Sequence, residues 1–176
     1  AERPARWQGK ILVPFCIEST LSGVGRLLQP DETLWYRRTF MADARPDERL
    51  LLNFGAVDFR AQVFVNGMEA TDVPHEGGNL PFALDITDLV RAGENELVVA
   101  AWDPTDKGDQ ALGKQSLAPA GCSYTRVSGI WQTVWLERVP ETHVTGYRVV
   151  TDIDAGTVAV TVGAAGNLLA AAAEVE

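Results

Sequence analysis

Histidine and cysteine are scarce in this chain of 176 residues, with two of each. His75, His143, Cys16 and Cys122 do not fall at the spacings of a structural zinc site. Two cysteines so far apart do not make a disulfide scaffold, and they read as two separate buried thiols rather than a bridge. Positive charge is also short: 15 Lys+Arg against 24 Asp+Glu leave a formal charge of −9. A phosphate backbone needs a basic face, so a nucleic-acid partner is excluded, and anionic membranes are disfavoured. No apolar run approaches the ~20 residues of a membrane helix. No signal peptide precedes Trp7; the expected compartment is cytoplasmic, or the outside of the cell if a signal peptide has been removed. The dinucleotide fingerprint fails, because Gly23-Val24-Gly25 has leucine at position 28. A G-x-S-x-G nucleophile elbow is missing, as is any Asn-x-Ser/Thr glycosylation site.

What is present is strand and turn. Leu34 to Phe40 alternates and is rich in aromatics, Leu50 to Phe54 follows a polar connection, and Phe59 to Val65 ends at Asn66-Gly67. Asn-Gly favours the positive φ angles of a type I′ turn, so the chain should reverse there. Ala83 to Ile86 precedes Thr87, a candidate cap for a single helical turn. Gly93-Glu94-Asn95 then turns into a strand over Glu96 to Trp102. From Asp103 to Val127 no period is visible, and a loop of that length in a compact domain is usually functional or disordered. Short strands with regular turn signals indicate an all-β sandwich or jelly roll.

The run Ser128-Gly129-Ile130-Trp131-Gln132-Thr133-Val134-Trp135-Leu136-Glu137 reads as a turn and one strand with two faces. Ile130, Gln132, Val134 and Leu136 take one face; Trp131, Thr133, Trp135 and Glu137 take the other. Around Val139-Pro140 the texture changes. His143 to Asp154 and Thr157 to Val162 alternate again, and Leu168 to Glu176 looks like the start of a third strand. Three strands make less than half of an immunoglobulin-like sandwich, which needs about seven. The expected organisation is therefore a first domain over 1–140 and the truncated start of a second over 141–176.

Several runs in order carry a family resemblance. Trp35-Tyr36-Arg37-Arg38-x-Phe40, Leu51-Leu52-Asn53-Phe54-Gly55-Ala56-Val57-Asp58 and Ala61-x-Val63-Phe64-Val65-Asn66-Gly67 come first. His75-Glu76-Gly77-Gly78-x-x-Pro81-Phe82, Asp85-Ile86-Thr87, Gly93-x-Asn95-x-Leu97-x-Val99 and Ser128-Gly129-Ile130-Trp131 follow. Together they resemble the N-terminal sugar-binding domain of glycoside hydrolase family 2, although Asn79-Leu80 stands where that family commonly has an aromatic. The resemblance implies a galactose-binding-like jelly-roll β-sandwich followed by the first strands of an immunoglobulin-like domain. It also implies a parent enzyme of the β-galactosidase, β-glucuronidase or β-mannosidase type that hydrolyses β-glycosides with retention. That chemistry uses two carboxyl groups about 5–5.5 Å apart. In the family these lie on a later (β/α)₈ barrel, so this chain is expected to be inactive alone, with no catalytic residue of its own. Asn95-Glu96 mimics the family's acid/base dipeptide but belongs to a turn and strand start.

The resemblance also implies that a loop after the Leu97–Trp102 strand lends an aspartate to the sugar and to a metal ion. Asp103 or Asp106 is the candidate, with Asp106 the metal ligand. The cofactor is then at most a Mg or Na ion in the full-length parent, since carboxylates suit hydroxyls and hard cations alike. Lys114 and Gln115 present a cation and an amide within the loop, and Glu18 lies on a second segment that borders it in this reading. Of the five tryptophans one is assigned a ligand role, either Trp102 or Trp131. Arg37 and Arg38 point to opposite faces, and one is expected to pair with a buried carboxylate such as Asp58. The expected partners are a carbohydrate and the remaining domains of the parent. Self-association of the piece is expected through its barrel-facing surface and open edge. The alternative is an independent carbohydrate-binding module or lectin-like domain, since fold does not fix function.

Overall fold

A computed structural model describes residues 2–167. Fourteen strands are described: β1 (Leu34–Ala42), β2 (Glu48–Phe54), β3 (Val57–Asp58), β4 (Arg60–Val65), β5 (Met68–Glu69), β6 (His75–Glu76), β7 (Phe82–Asp85), β8 (Gly93–Trp102), β9 (Gln115–Ser116), β10 (Tyr124–Thr125), β11 (Gly129–Ile130), β12 (Val134–Pro140), β13 (His143–Asp152) and β14 (Thr157–Ala165). Among the described residues the only helical pieces are two single 3-10 turns, Thr20–Ser22 and Thr87–Leu89. The third strand expected over Leu168 to Glu176 lies outside the described residues.

Two antiparallel sheets make the sandwich. One runs β1-β8-β4-β5 with β6 also on β4; the other runs β12-β2-β7. Period-two patterning explains both. Ala61, Val63 and Val65 of β4 are buried and alternate with Arg60, Gln62 and Phe64. Leu50, Leu52 and Phe54 of β2 do the same from the opposite sheet. Tyr36, Val57, Ile86, Val99, Ala101 and Ile130 join these six residues in one core. Phe54, fully buried, stacks on Phe82 with centroids 4.6 Å apart. Each such side chain stabilises by about 1.5–3 kcal/mol relative to exposure.

The Asn66-Gly67 turn is as expected, with φ of 53° and 82° linking β4 to β5. Asn66 does more than turn the chain. Its amide donates to Leu89 O at 2.9 Å and to Asn95 Oδ1 at 2.7 Å. Asn95 is fully buried; its oxygen also accepts from Arg91 N, and its amide donates to Arg91 O and Gly93 O. The Asn95-Glu96 dipeptide is thus a structural lock at the start of β8.

Four local expectations are corrected. Thr87 is not a cap: it sits inside the 3-10 turn, where Oγ1 accepts from Leu50 N and donates to Asp85. The Ser128–Glu137 run is two strands, β11 and β12. Thr133 O accepts from Gly55 N there, and a Cβ at Gly55 would lie 2.7 Å from Gln132 Cβ, so the crossing needs glycine. Both cysteines are free, but Cys122 is exposed, and only Cys16 is partly buried, which raises its thiol pKa. Neither arginine of β1 reaches Asp58 in an ion pair: Arg37 meets Glu96 at 3.8 Å and lies 5.1 Å over the Trp7 ring.

Beyond Pro140, β13 and β14 form a hairpin that pairs only with itself among the described residues. Its register puts Tyr147 opposite Val162, Val149 opposite Val160 and Thr151 opposite Val158 on one face. All are exposed.

Asn95→Ala should lower unfolding free energy by about 2–4 kcal/mol, because four hydrogen-bonded groups lose a buried partner at once. Urea denaturation checks this; a loss under about 0.5 kcal/mol would show the lock to be dispensable.

Candidate functional site

The seam where β8 ends brings distant segments together. β3 pairs with β11 so that Asp58 lies opposite Gly129 and Val57 opposite Ile130. The close approach selects glycine at 129, with φ of 78°: a Cβ there would strike the Tyr36 hydroxyl. That hydroxyl accepts from Ile130 N at 3.1 Å, and burial raises the Tyr36 pKa beyond the usual phenol range.

Three carboxylates gather around this seam. Asp103, at the end of β8, is buried; it accepts from Thr105 N at 2.6 Å and from Ser128 Oγ at 2.7 Å. Glu18 reaches across from the N-terminal segment, accepting from Ser128 N at 3.0 Å and Leu28 N at 3.3 Å. Asp58 accepts from Gln115 Nε2 at 2.9 Å. Gln115 in turn accepts from Val127 N at 2.6 Å, so a single glutamine clips the long loop to both β3 and its own far end. Burial first, then the negative charges of Asp103 and Glu18, raise the Asp58 pKa to about 6, against the pull of the Gln115 bond.

Of the sequence-predicted residues, the structure brings Glu18, Asp103 and Gln115 into this one cluster. Trp131 borders it: its indole donates to Gly78 O at 2.7 Å, and Gly78 packs so tightly on Asp58 that a Cβ would overlap the carboxylate. Asp106 stands apart, bracing the loop by accepting from Leu117 N at 2.9 Å and Ser116 Oγ at 3.2 Å. Those bonds lower its pKa. Lys114 is exposed, its ammonium 5.7 Å from the ring centroid of Tyr124, itself exposed. The loop is not structureless: β9 and β10 pair in parallel within it.

A hard cation asks for about six to eight oxygen ligands. Asp103 and Asp106 already accept donors within the chain, and among the described residues no three His, Cys, Asp or Glu side chains gather to hold a metal. The donor set on this chain therefore does not by itself fit Mg or Na.

Ser128, Asp58, Gly78 and Arg126 complete the cluster without having been singled out as site residues. Arg126 is buried and donates Nε–H to Leu28 O at 2.7 Å. The only sequence signals were the paired glycines 77–78 and the serine before Gly129. Nothing in the spacing tells that Arg126 turns inward.

Comparison with known proteins places this geometry. The family model described as the sugar binding domain of glycosyl hydrolases family 2 matches residues 24–140. A β-galactosidase of Thermoanaerobacter pseudethanolicus is 31% identical over 122 residues, covering 67% of this chain and 15% of that protein. A β-glucuronidase of Rattus norvegicus is 29% identical over 141 residues, covering 69% of this chain and 22% of that protein. A solved β-glucuronidase from Ruminococcus gnavus in complex with uronic deoxynojirimycin matches with TM-score 0.66 at 26% identity, over 88% of this chain and 28% of that one. The chain thus spans under a quarter of the length of these two curated relatives.

Asp58 has a testable pH signature. Unfolded aspartate titrates near 3.9, and the folded value is about 6. The folded state binds this proton more tightly, so its stabilising contribution is complete below pH ~4 and is lost as pH rises through ~6. With allowance for solvent screening the loss is about 1–2 kcal/mol. Asp58→Asn keeps an oxygen for Gln115 and removes the titration. In urea melts it should match wild type near pH 4 and exceed it by that amount at pH 7.5; a pH-independent difference would contradict the assignment.

Proposed function

The chain belongs to glycosyl hydrolase family 2 through that family's sugar-binding domain, and on that premise we propose that it is the non-catalytic sugar-binding and scaffolding domain of a retaining β-glycosidase. In this reading hydrolysis is carried out elsewhere in the parent by a pair of carboxyl groups. The present chain supplies a rigid wall. Its loop over 103–127 projects from the seam, held by Asp58–Gln115, Asp103–Ser128 and Asp106–Leu117, and it presents Lys114 and Tyr124 outward.

The observation that carries the reading is the double use of Gln115, which ties the loop at 2.9 Å to Asp58 and at 2.6 Å to Val127. Such bracing orders a loop whose exposed tip then meets a partner surface at little further entropic cost. An ammonium beside an aromatic face suits a sugar, whose hydroxyls accept from the cation while the ring packs on the tyrosine. Strands β13 and β14 are read as the opening strands of a second, immunoglobulin-like domain. The apolar face of β13–β14, with Tyr147, Val149, Val160 and Val162 exposed, supports this, because an isolated two-stranded hairpin is at best marginally stable in water.

Two measurements test the proposal. The chain alone should release no nitrophenol from p-nitrophenyl β-galactoside or β-glucuronide; turnover would overturn the non-catalytic assignment. In the parent enzyme, Lys114→Ala should raise KM by about three- to tenfold with kcat little changed, the loss of roughly 1 kcal/mol of uniform binding. An unchanged KM would remove Lys114 from the wall.

A further inference from the structure

The outer face of the five-stranded sheet carries a hollow lined by none of Glu18, Asp103, Asp106, Lys114, Gln115 or Trp131. Its shape follows from cross-strand rows. Trp35 of β1 lies opposite Ala100 of β8, and Ala100 lies opposite Gln62 of β4. Trp102 opposite Arg60 forms the next row on the same face, because side chains two apart on a strand share a side. Alanine is the one small member of this group, so its methyl forms a floor between taller neighbours. With Thr33 and Pro74 at the rim, the hollow has a volume of about 340 Å³. That is the low end of small-molecule sites.

The walls are held in place. Trp35 stacks on Phe64 with centroids 6.2 Å apart. Trp102 donates its indole N–H to Pro30 O at 2.7 Å, and the Arg60 guanidinium lies 4.9 Å over its ring. Gln62 is anchored through Nε2, which donates to Glu69 at 2.5 Å and leaves its amide oxygen to accept from a ligand. Arg60 is paired with Glu76 at 2.6 Å, which cancels its charge locally. Two fixed indoles, an oriented amide, a hydroxyl and, among the lining residues, no charge but the paired Arg60 suit a flat, neutral molecule with an apolar face and a hydroxylated rim.

We infer that this hollow is a binding subsite for a neutral hexopyranose ring, its C–H face on Trp35 and Trp102 and its hydroxyls on Gln62 and Thr33. The subsite stands whether or not the Lys114 loop walls a catalytic pocket, and its test reads different residues from the KM measurement on Lys114. The chain, labelled with ¹⁵N, is titrated with methyl β-D-galactopyranoside and methyl β-D-glucopyranoside while the indole N–H signals are followed. The Trp35 and Trp102 signals should shift on one saturable curve with half-saturation in the millimolar range, as expected for a small open site. Ala100→Leu fills the floor and should weaken binding at least about tenfold. Gln62→Ala leaves the floor intact and should weaken it about three- to tenfold, which keeps the test valid if the leucine variant fails to fold. Failure of both signals to shift at tenfold higher sugar, shifts confined to Trp131, or unaltered binding in folded variants would each overturn the subsite.

Discussion

Three carboxylates at one seam, Asp103 buried and Asp58 and Glu18 half-buried, set the terms for the rest of this domain. Asp58, Glu18 and Asp103 crowd the end of β8, where burial first, and then the negative charges of Asp103 and Glu18, raise the Asp58 pKa. A buried carboxylate without donors is costly. The donors here come from far along the chain: Leu28 for Glu18, Ser128 for both Glu18 and Asp103, and Gln115 for Asp58. Satisfying the charges therefore fixes the N-terminal segment, the long loop and the entry to β11 at once. The glycines at 78 and 129 fit the same constraint, because both positions are pressed against members of the cluster or its neighbour Tyr36.

Order in the loop is a consequence of that arrangement. Residues 103–127 hold only two two-residue strands, and their apolar burial is slight. What orders them is polar: Gln115 at the middle, Asp106 across to Leu117, and Arg126 turned inward to Leu28 O. The Gln115–Asp58 and Arg126–Leu28 bonds, each made to a charged group that is at least half-buried, contribute roughly 1.5–3 kcal/mol each. That suffices to preorganise an exposed tip without merging it into the core.

The sandwich was legible in the sequence because it rests on local rules. Alternation marked β1, apolar strand runs between turn signals marked β2, β4 and β8, and Asn66-Gly67 named its own turn. The site was legible only in part. Glu18, Asp103 and Gln115 could be picked as polar groups on suitable segments, yet their meeting at Ser128 and Asp58 depends on pairings 25, 57 and 110 residues apart that no local pattern encodes. Likewise the break between β11 and β12 depends on Gly55 at the end of the neighbouring strand β2, so periodicity alone joined two strands into one. The outer-face hollow was hidden for a related reason. Ala100 is an ordinary strand alanine until register sets it between Trp35 and Gln62.

Amide hydrogen exchange at two backbone groups tests the central claim most directly. Val127 N–H donates to Gln115 Oε1 and Ser128 N–H donates to Glu18 Oε2. If the three carboxylates and Gln115 hold the loop root as part of the folded core, both amides should exchange only through global unfolding, with opening energies matching that of Val99 in β8. Gln115→Ala should then release Val127 by at least about tenfold while Val99 stays protected. Fast exchange of Val127 and Ser128 in the unaltered protein, alongside a protected Val99, would contradict it.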